Sequence, residues 1–275
     1  MSARAEGQGG CAEAPVGVFD SGIGGLTVAR ELMRQLPAER IVYIGDTARV
    51  PYGPKSPDTV RRYSREIANY LLEQGVKAIV VACNTATAHA LPLLRSEMPV
   101  PVVGVVEPGA RAAVAASGTH RIGVIGTVGT VSSRAYEQAI RARLPDAMVM
   151  ATSCPLFVPL VEEGWLDHPA TRLVADEYLA PVRAAGVDTL VLGCTHYPLL
   201  KPLLHELLGP RVRLIDSAEE TAAELGRLLC EQGIAAAPGV PRHRFLATDA
   251  PQQMLRLGQR FLGTSIEQVE TLALG

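Results

Sequence analysis

Short, wholly apolar runs alternate along the chain with longer stretches in which apolar residues recur every three or four positions. The runs Val16–Asp20, Ile41–Gly45, Ala78–Ala82, Val102–Val106, Arg121–Ile125, Met148–Ala151, Thr189–Gly193 and Arg213–Asp216 predict strands, and the stretches between them predict helices. A strand without polar alternation is buried on both faces, as in a parallel sheet covered by helices. The clearest helix is predicted over Pro57–Gln74. Ser56 is placed to cap it, Pro57 takes the first helical position, and Val60, Tyr63, Ile67 and Leu71 fall on one face. Beyond Asp216 the pattern predicts a helix over Ala218–Gln232, a Pro/Gly break at "APGVP", a strand over His243–Ala247 and a last helix over Pro251–Leu262. This tail is placed to close back on the first part of the chain.

The pattern also repeats. "VGVFDS" from Val16 resembles "IGVIGT" from Ile122, 106 residues later, and "GVKAIVVACNT" from Gly75 resembles "GVDTLVLGCTH" from Gly186, 111 residues later. The first resemblance alone is what any two apolar strands would show. The second keeps a glycine, an apolar strand and a cysteine in register. Together they predict an α/β fold of two similar parallel-sheet domains with their C-terminal strand edges facing each other, related by a pseudo-two-fold axis from an internal duplication. The expected division is a disordered tail over 1–14, a first domain over 15–107 plus 217–275, and a second over 108–216.

Composition narrows the function classes. The 275 residues are 48% hydrophobic with a formal net charge of −2, so the core is sizeable and no basic surface suggests a nucleic-acid partner. No apolar run reaches the ~18 residues of a membrane helix, and the small, polar start "MSARAEGQGGCAEA" lacks the apolar segment of a signal peptide. Five widely spaced cysteines in a chain of this length read as reduced thiols in a cytoplasmic protein. Cys11 in the tail and Cys230 near a helix end are expected to be inert, and Cys154 structural.

Candidate chemistry gathers where the strands end, the side on which open α/β sheets bind ligands. "FDSGIGGL" sets Asp20 and Ser21 at a strand end, followed by glycines that let backbone amides approach an anion or simply make a tight turn. It lacks the Gly-Lys-Ser/Thr of a phosphate loop and the third glycine of a dinucleotide fingerprint. Asp46 ends the next strand, and Pro51-Tyr52-Gly53 makes a turn that reads as an ordinary loop by itself. Cys83 and Cys194 admit three readings. They are inert buried thiols, metal ligands with His89, His196 or an acid, or catalytic thiols. Zinc usually takes three or four N/S ligands, often from C-x₂-C pairs, and the chain has no such pair. For catalysis, Asn84, Thr85, Thr195 and His196 supply polar groups, and a helix N-terminus expected after each cysteine would favour thiolate. Two equivalent thiols facing each other suit inversion at carbon, in which a base removes a proton from one face and an acid returns one to the other. A hydrolase needs only one nucleophile. Pyridoxal phosphate would need a lysine, and nothing around Lys55 resembles a cofactor pocket. Glu162 in "CPLFVPLVEEGW" and His196 are placed to assist the thiols.

The motifs "FDSGIGGL", "YIGDTARVPYG", "ACNTATA", "CPLFVPLVEEGW" and "LVLGCTHYPLL", in that order and spacing, resemble the bacterial glutamate racemases of the aspartate/glutamate racemase superfamily over Val16 to Leu262. The resemblance implies interconversion of L- and D-glutamate with no cofactor and no metal, D-glutamate feeding peptidoglycan synthesis. It matches Cys83 and Cys194 to the two proton donor/acceptors. Asp20-Ser21, Tyr52-Gly53, Asn84-Thr85 and Thr195-His196 match substrate-binding pairs, and Asp20, Glu162 and His196 match residues that assist the thiols. Glutamate is the expected partner, with no nucleic acid and no membrane, in a homodimer. The N-terminal tail is longer than the family's, and "ATDAPQ" stands where a Gly-Asp turn is more usual.

Overall fold

The computed structural model describes residues 12–274; Cys11 and most of the expected tail lie outside them. Of that tail Ala12 is tied down, its carbonyl accepting a 2.7 Å hydrogen bond from the buried Lys77 Nζ, which also pairs with Glu39 at 2.6 Å.

The chain forms two parallel-sheet α/β domains. Strands β1 (Val16–Asp20), β2 (Ile41–Gly45), β3 (Ala78–Val81) and β4 (Val102–Gly104) alternate with helices α1 (Leu26–Gln35), α2 (Pro57–Glu73) and α3 (Asn84–Glu97). Helix α4 (Val106–Ala116) leads into β5 (Arg121–Gly126), α5 (Val128–Ser132), α6 (Ala135–Arg141) and β6 (Met148–Ser153). Next come α7 (Phe157–Glu162), α8 (Pro169–Ala184), β7 (Thr189–Gly193), a 3₁₀ turn (Tyr197–Leu200), α9 (Lys201–Leu208) and β8 (Arg213–Asp216). The chain ends with α10 (Ser217–Glu231), β9 (Arg244–Ala247), α11 (Pro251–Leu262) and β10 (Glu270–Thr271).

The two sheets share one topology. The first runs β10-β9-β2-β1-β3-β4 and the second β6-β5-β7-β8, so β2-β1-β3-β4 and β6-β5-β7-β8 are the same order, every pair parallel. Val16 pairs with Ile41 and Ala78, and Ile122, its counterpart by sequence, pairs with Val149 and Thr189. Strand order reverses between β1 and β3 and again between β5 and β7, and such switch points open a crevice beyond the strand ends. The first sheet alone is extended, by β9 and β10 from the far end of the chain.

The local patterns account for most elements. Every residue of β1, β2, β3 and β7 is buried, which is why these runs carry no charge except at Asp20. Ser56 caps α2 by accepting from Thr59 N at 3.3 Å, and Val60, Ile67 and Leu71 are buried on its inner face. Tyr63 lies at the edge of the same face, packed against that cluster. It is half-buried, with the Arg49 guanidinium 4.1 Å from its ring centre. The expected strand over Val102–Val106 stops at Gly104, because the Thr87 hydroxyl takes the Val105 amide and Val106 already begins α4. The expected strand over Met148–Ala151 runs on to Ser153, because its ladder with β5 continues to Gly126. Pairing with a neighbour, invisible to hydropathy, sets that end.

Candidate active site

The residues at the switch points converge. Asp20 and Ser21 leave β1, Cys83 leaves β3, Thr127 leaves β5 and Cys194 leaves β7. Both thiols, Ser21, Tyr52, Gly53, Asn84, Thr85, Thr195 and His196 line one cavity of about 40 Å³ between the domains. The cavity is small for an amino acid in this conformation. Larger cavities lie elsewhere, one of about 450 Å³ beside Asp188 and Arg211 and one of about 280 Å³ beside Arg95 and Glu224, and neither contains these residues.

The glycine turn after Asp20 serves close approach. A Cβ on Gly24 would lie 2.3 Å from Thr195 Oγ1 and 2.4 Å from His196 Nδ1, and one on Gly25 would lie 2.4 Å from Asp20 Cβ. Only glycines let the first domain's turn press against the second domain's histidine. Thr27 Oγ1 reinforces the contact by donating to the Thr195 carbonyl at 3.1 Å. Asp20 is buried, and its Oδ2 accepts from Gly22 N at 3.0 Å while Oδ1 has no partner. Burial pushes its carboxyl up, against the opposing pull of His196 and the amides of Gly25, Gly22 and Ser21. Asp20 is not among the residues lining the cavity; it sits behind Ser21.

Cys83 is the N-cap of α3. Ala86 N donates to its Sγ at 3.4 Å, and its Sγ lies 3.6 Å from Ser21 Oγ. Burial pushes the thiol up to about 11, with Asp20 adding to the rise and the Ala86 amide opposing it. Asn84 accepts through Oδ1 from the Tyr136 hydroxyl at 2.7 Å, which leaves its buried Nδ2 with no partner. Thr85 Oγ1 meets Thr127 Oγ1 at 2.8 Å across the domains.

Cys194 is held differently. No α-helix follows it directly; Thr195 and His196 lead into the 3₁₀ turn, so the expected helix N-terminus exists at Cys83 alone. His196 Nδ1 lies 3.9 Å from Cys194 Sγ, and its Nε2 lies 2.9 Å from Glu162 Oε1. Burial pushes this thiol up too, eased by the His196 amide and increased by Cys83. Glu162 stands one step behind the cavity, reaching it only through His196.

Tyr52 and Gly53 owe their place to Asp46. The Tyr52 hydroxyl donates to Asp46, whose carboxylate also accepts from Arg49 Nε at 2.7 Å and Thr248 Oγ1 at 2.9 Å. The loop is thus braced from the C-terminal segment. Sequence reasoning missed Thr127, Val50 and Val158 in the cavity wall and Tyr136 behind Asn84. A signal for Thr127 was present, since aligning "IGVIGT" with "VGVFDS" sets it opposite Ser21. Cys154 is buried and pushed up to about 12 by desolvation, outside the cavity, and Cys230 is exposed. Among the described residues no group of three or more His, Cys, Asp or Glu side chains is placed to hold a metal ion.

Two thiols at equivalent strand ends thus line one small cavity. The model of the Asp/Glu/hydantoin racemase family matches residues 16–225. The chain belongs to that family. It is 53% identical to a glutamate racemase of Syntrophus aciditrophicus over 94% of this chain and 97% of that one. Among solved structures, a glutamate racemase of Bacillus anthracis superposes with a TM-score of 0.93 at 43% identity, covering 96% of this chain and 98% of that one. A glutamate racemase of Francisella tularensis, solved in complex with D-glutamate, gives 0.90 at 38% identity with the same coverage.

Proposed function

We propose that this protein racemises glutamate with its two thiols and no cofactor, supplying D-glutamate for peptidoglycan. The observation that carries the reading is the cavity flanked by Cys83 and Cys194, each at the end of an equivalent strand. One cysteine works as thiolate. It takes the α-proton, the C–H electron pair stays on the α-carbon as a carbanion, and the opposite thiol delivers its proton to the other face. The enzyme ends with the two protonation states exchanged. Cys194 serves L-glutamate and Cys83 D-glutamate, as the family resemblance implies. The unpartnered Asn84 Nδ2 is a donor for a substrate carboxylate, and Asp20, one layer behind Ser21, supplies an acidic group that suits the ammonium at a distance. His196, backed by Glu162, supports Cys194. Closure around the substrate excludes water and strengthens each of these contacts.

Domain division at 15–107 plus 217–275 and 108–216 fits this reading, since the α4 and α10 crossovers flank the second sheet. A cytoplasmic homodimer completes it; the four described cysteines are unpaired, as in a reducing compartment.

Incubation with L-glutamate should carry optical rotation to zero, before and after dialysis against a chelator and a carbonyl reagent. Rotation that never falls overturns the activity. Activity that is lost on dialysis and returns with zinc or pyridoxal phosphate overturns the cofactor-free route. Proton NMR in deuterated water tests the division of labour. Cys83→Ser should exchange the α-proton of L-glutamate faster than that of D-glutamate, and Cys194→Ser the reverse. Equal exchange of both enantiomers would mean one base serves both faces.

A further inference from the structure

We propose that Arg260, on the C-terminal helix, is a positioning residue for the Cys194 half of the site, fixing Glu162 and through it His196. The inference of a catalytic effect rests on the two-thiol reading; the inference of positioning does not.

Helix α7 ends at Glu162; the amides of Glu163, Gly164 and Trp165 close the carbonyls of Pro159, Val161 and Leu160, and the Glu162 carbonyl is left without a backbone donor. Arg260 Nη1 donates to the Val161 carbonyl at 3.2 Å and to the Glu162 carbonyl at 3.1 Å. A cation at a helix C-terminus is favourable in both charge and hydrogen bonding. The turn that follows is shaped around it. Gly164 has φ +80°, and a Cβ there would lie 2.7 Å from Arg260 Nη2. A glycine is therefore needed twice over, for the left-handed backbone and for the guanidinium lying against it.

The backbone atoms that Arg260 holds belong to Glu162, whose carboxylate meets His196 Nε2 at 2.9 Å. The next residue on α11, the buried Phe261, presents its ring edge-on to the His196 imidazole, 5.1 Å between centres at 78°. One helix thus holds both members of the pair behind Cys194. That helix follows β9, which is paired with β2 of the first sheet, while Glu162, His196 and Cys194 sit on the second. The half-site is braced across the domain boundary. Cys83 has no equivalent brace from this helix; its sulfur contacts are Ser21 and the Ala86 amide.

Arg260 is exposed, so removing it costs the fold little, and its effect should appear in the site. Because a single nitrogen makes both contacts, lysine at this position retains a donor.

The experiment uses the full chain. The ring-nitrogen NMR signals of His196, assigned by their loss in His196→Asn, are compared between wild type, Arg260→Ala, Arg260→Lys and Glu162→Gln. In Arg260→Ala they should move towards the Glu162→Gln positions, and in Arg260→Lys they should stay near wild type. Unmoved signals in Arg260→Ala overturn the proposal. The second measurement adds Arg260→Ala to each single-thiol variant. L-Glutamate exchange in the Cys83→Ser background should fall about tenfold, the usual worth of an orienting partner, while D-glutamate exchange in the Cys194→Ser background stays within about twofold. Equal losses in both backgrounds would reduce α11 to scaffold and overturn the proposal. If Cys83→Ser shows no preference for L-glutamate to begin with, the two-thiol reading fails, and the His196 signals still decide the positioning role.

Discussion

Cys83 caps an α-helix and sits beside a serine, whereas Cys194 enters a single 3₁₀ turn and sits beside a histidine backed by a glutamate. The two occupy equivalent places in repeated sheets, yet their surroundings were built from different parts. A 14-residue helix offers Cys83 free amides and an aligned dipole. A four-residue turn offers Cys194 little of either, and an imidazole stands where that help is missing. Both thiols are driven up by burial, so each needs some means of supporting a thiolate. The duplicated backbone fixes where a thiol stands, and the means of ionising it is local.

The sharpest way to break this comparison is to remove one thiol at a time. Cys83→Ser and Cys194→Ser should each reduce racemisation to background in both directions, because in the proposed two-thiol route each turnover needs both carriers. The equilibrium constant between enantiomers is one, so kcat/KM must fall equally from either side. Substantial racemisation by either variant, followed by polarimetry, would show that the two are not partners.

Next in size are the groups behind the thiols. Asp20→Asn and His196→Asn should each lower kcat by roughly 10²–10⁴-fold, the worth of a positioned acid–base partner. A substrate analogue should bind them nearly as well as wild type. Near-normal turnover in both would make these residues scaffold.

A smaller effect is expected at Tyr136. Its hydroxyl fixes which end of the Asn84 amide faces the cavity, and in Tyr136→Phe the amide is free to turn its oxygen inward. KM for glutamate should rise about fivefold, as ~1 kcal/mol for a hydrogen bond implies, with kcat changed less. A fall in kcat with KM unmoved would mean that Asn84 acts only in the transition state.

The smallest effect concerns stability against pH. The Cys83 thiol stands at about 11 in the folded chain against an ordinary 9.0. Between those values the unfolded chain has released the proton and the folded chain retains it. The contribution of Cys83 to stability is therefore complete below pH 9 and is lost as pH rises towards 11. Thermal unfolding of Cys83→Ala should decline less steeply than wild type over that window. Parallel declines would show that the thiol is not held neutral by burial.

How much of this was legible in the chain varies by residue. Cys83 and Cys194 were, because a thiol directly after a charge-free strand stands where sheet topology opens a crevice. Ser56, Pro57 and the inner face of α2 were, because capping and periodicity are local. Tyr63 was also on that face, but nothing nearby in sequence shows that Arg49 covers the ring at its edge. The end of β6 was missed because its partner strand sets it. Tyr136 was missed because a tyrosine on an amphipathic helix looks like core until its hydroxyl is seen 2.7 Å from Asn84.

By itself the sequence determined the two α/β units, the repeated strand–cysteine motif and the polar residues that follow it, since hydrophobic period, turn chemistry and register act over a few residues. Only the tertiary structure decided that Gly24 brings the first domain's turn against His196, that β9 extends the first sheet, that Asp20 and Glu162 stand behind the cavity, and that Arg260 reaches Glu162 from α11. These contacts join residues up to 202 positions apart in the chain (Val42 to Arg244). They exist because two packed domains leave their strand ends facing each other, and burial there makes each polar group find a partner across the gap or wait for one on the substrate.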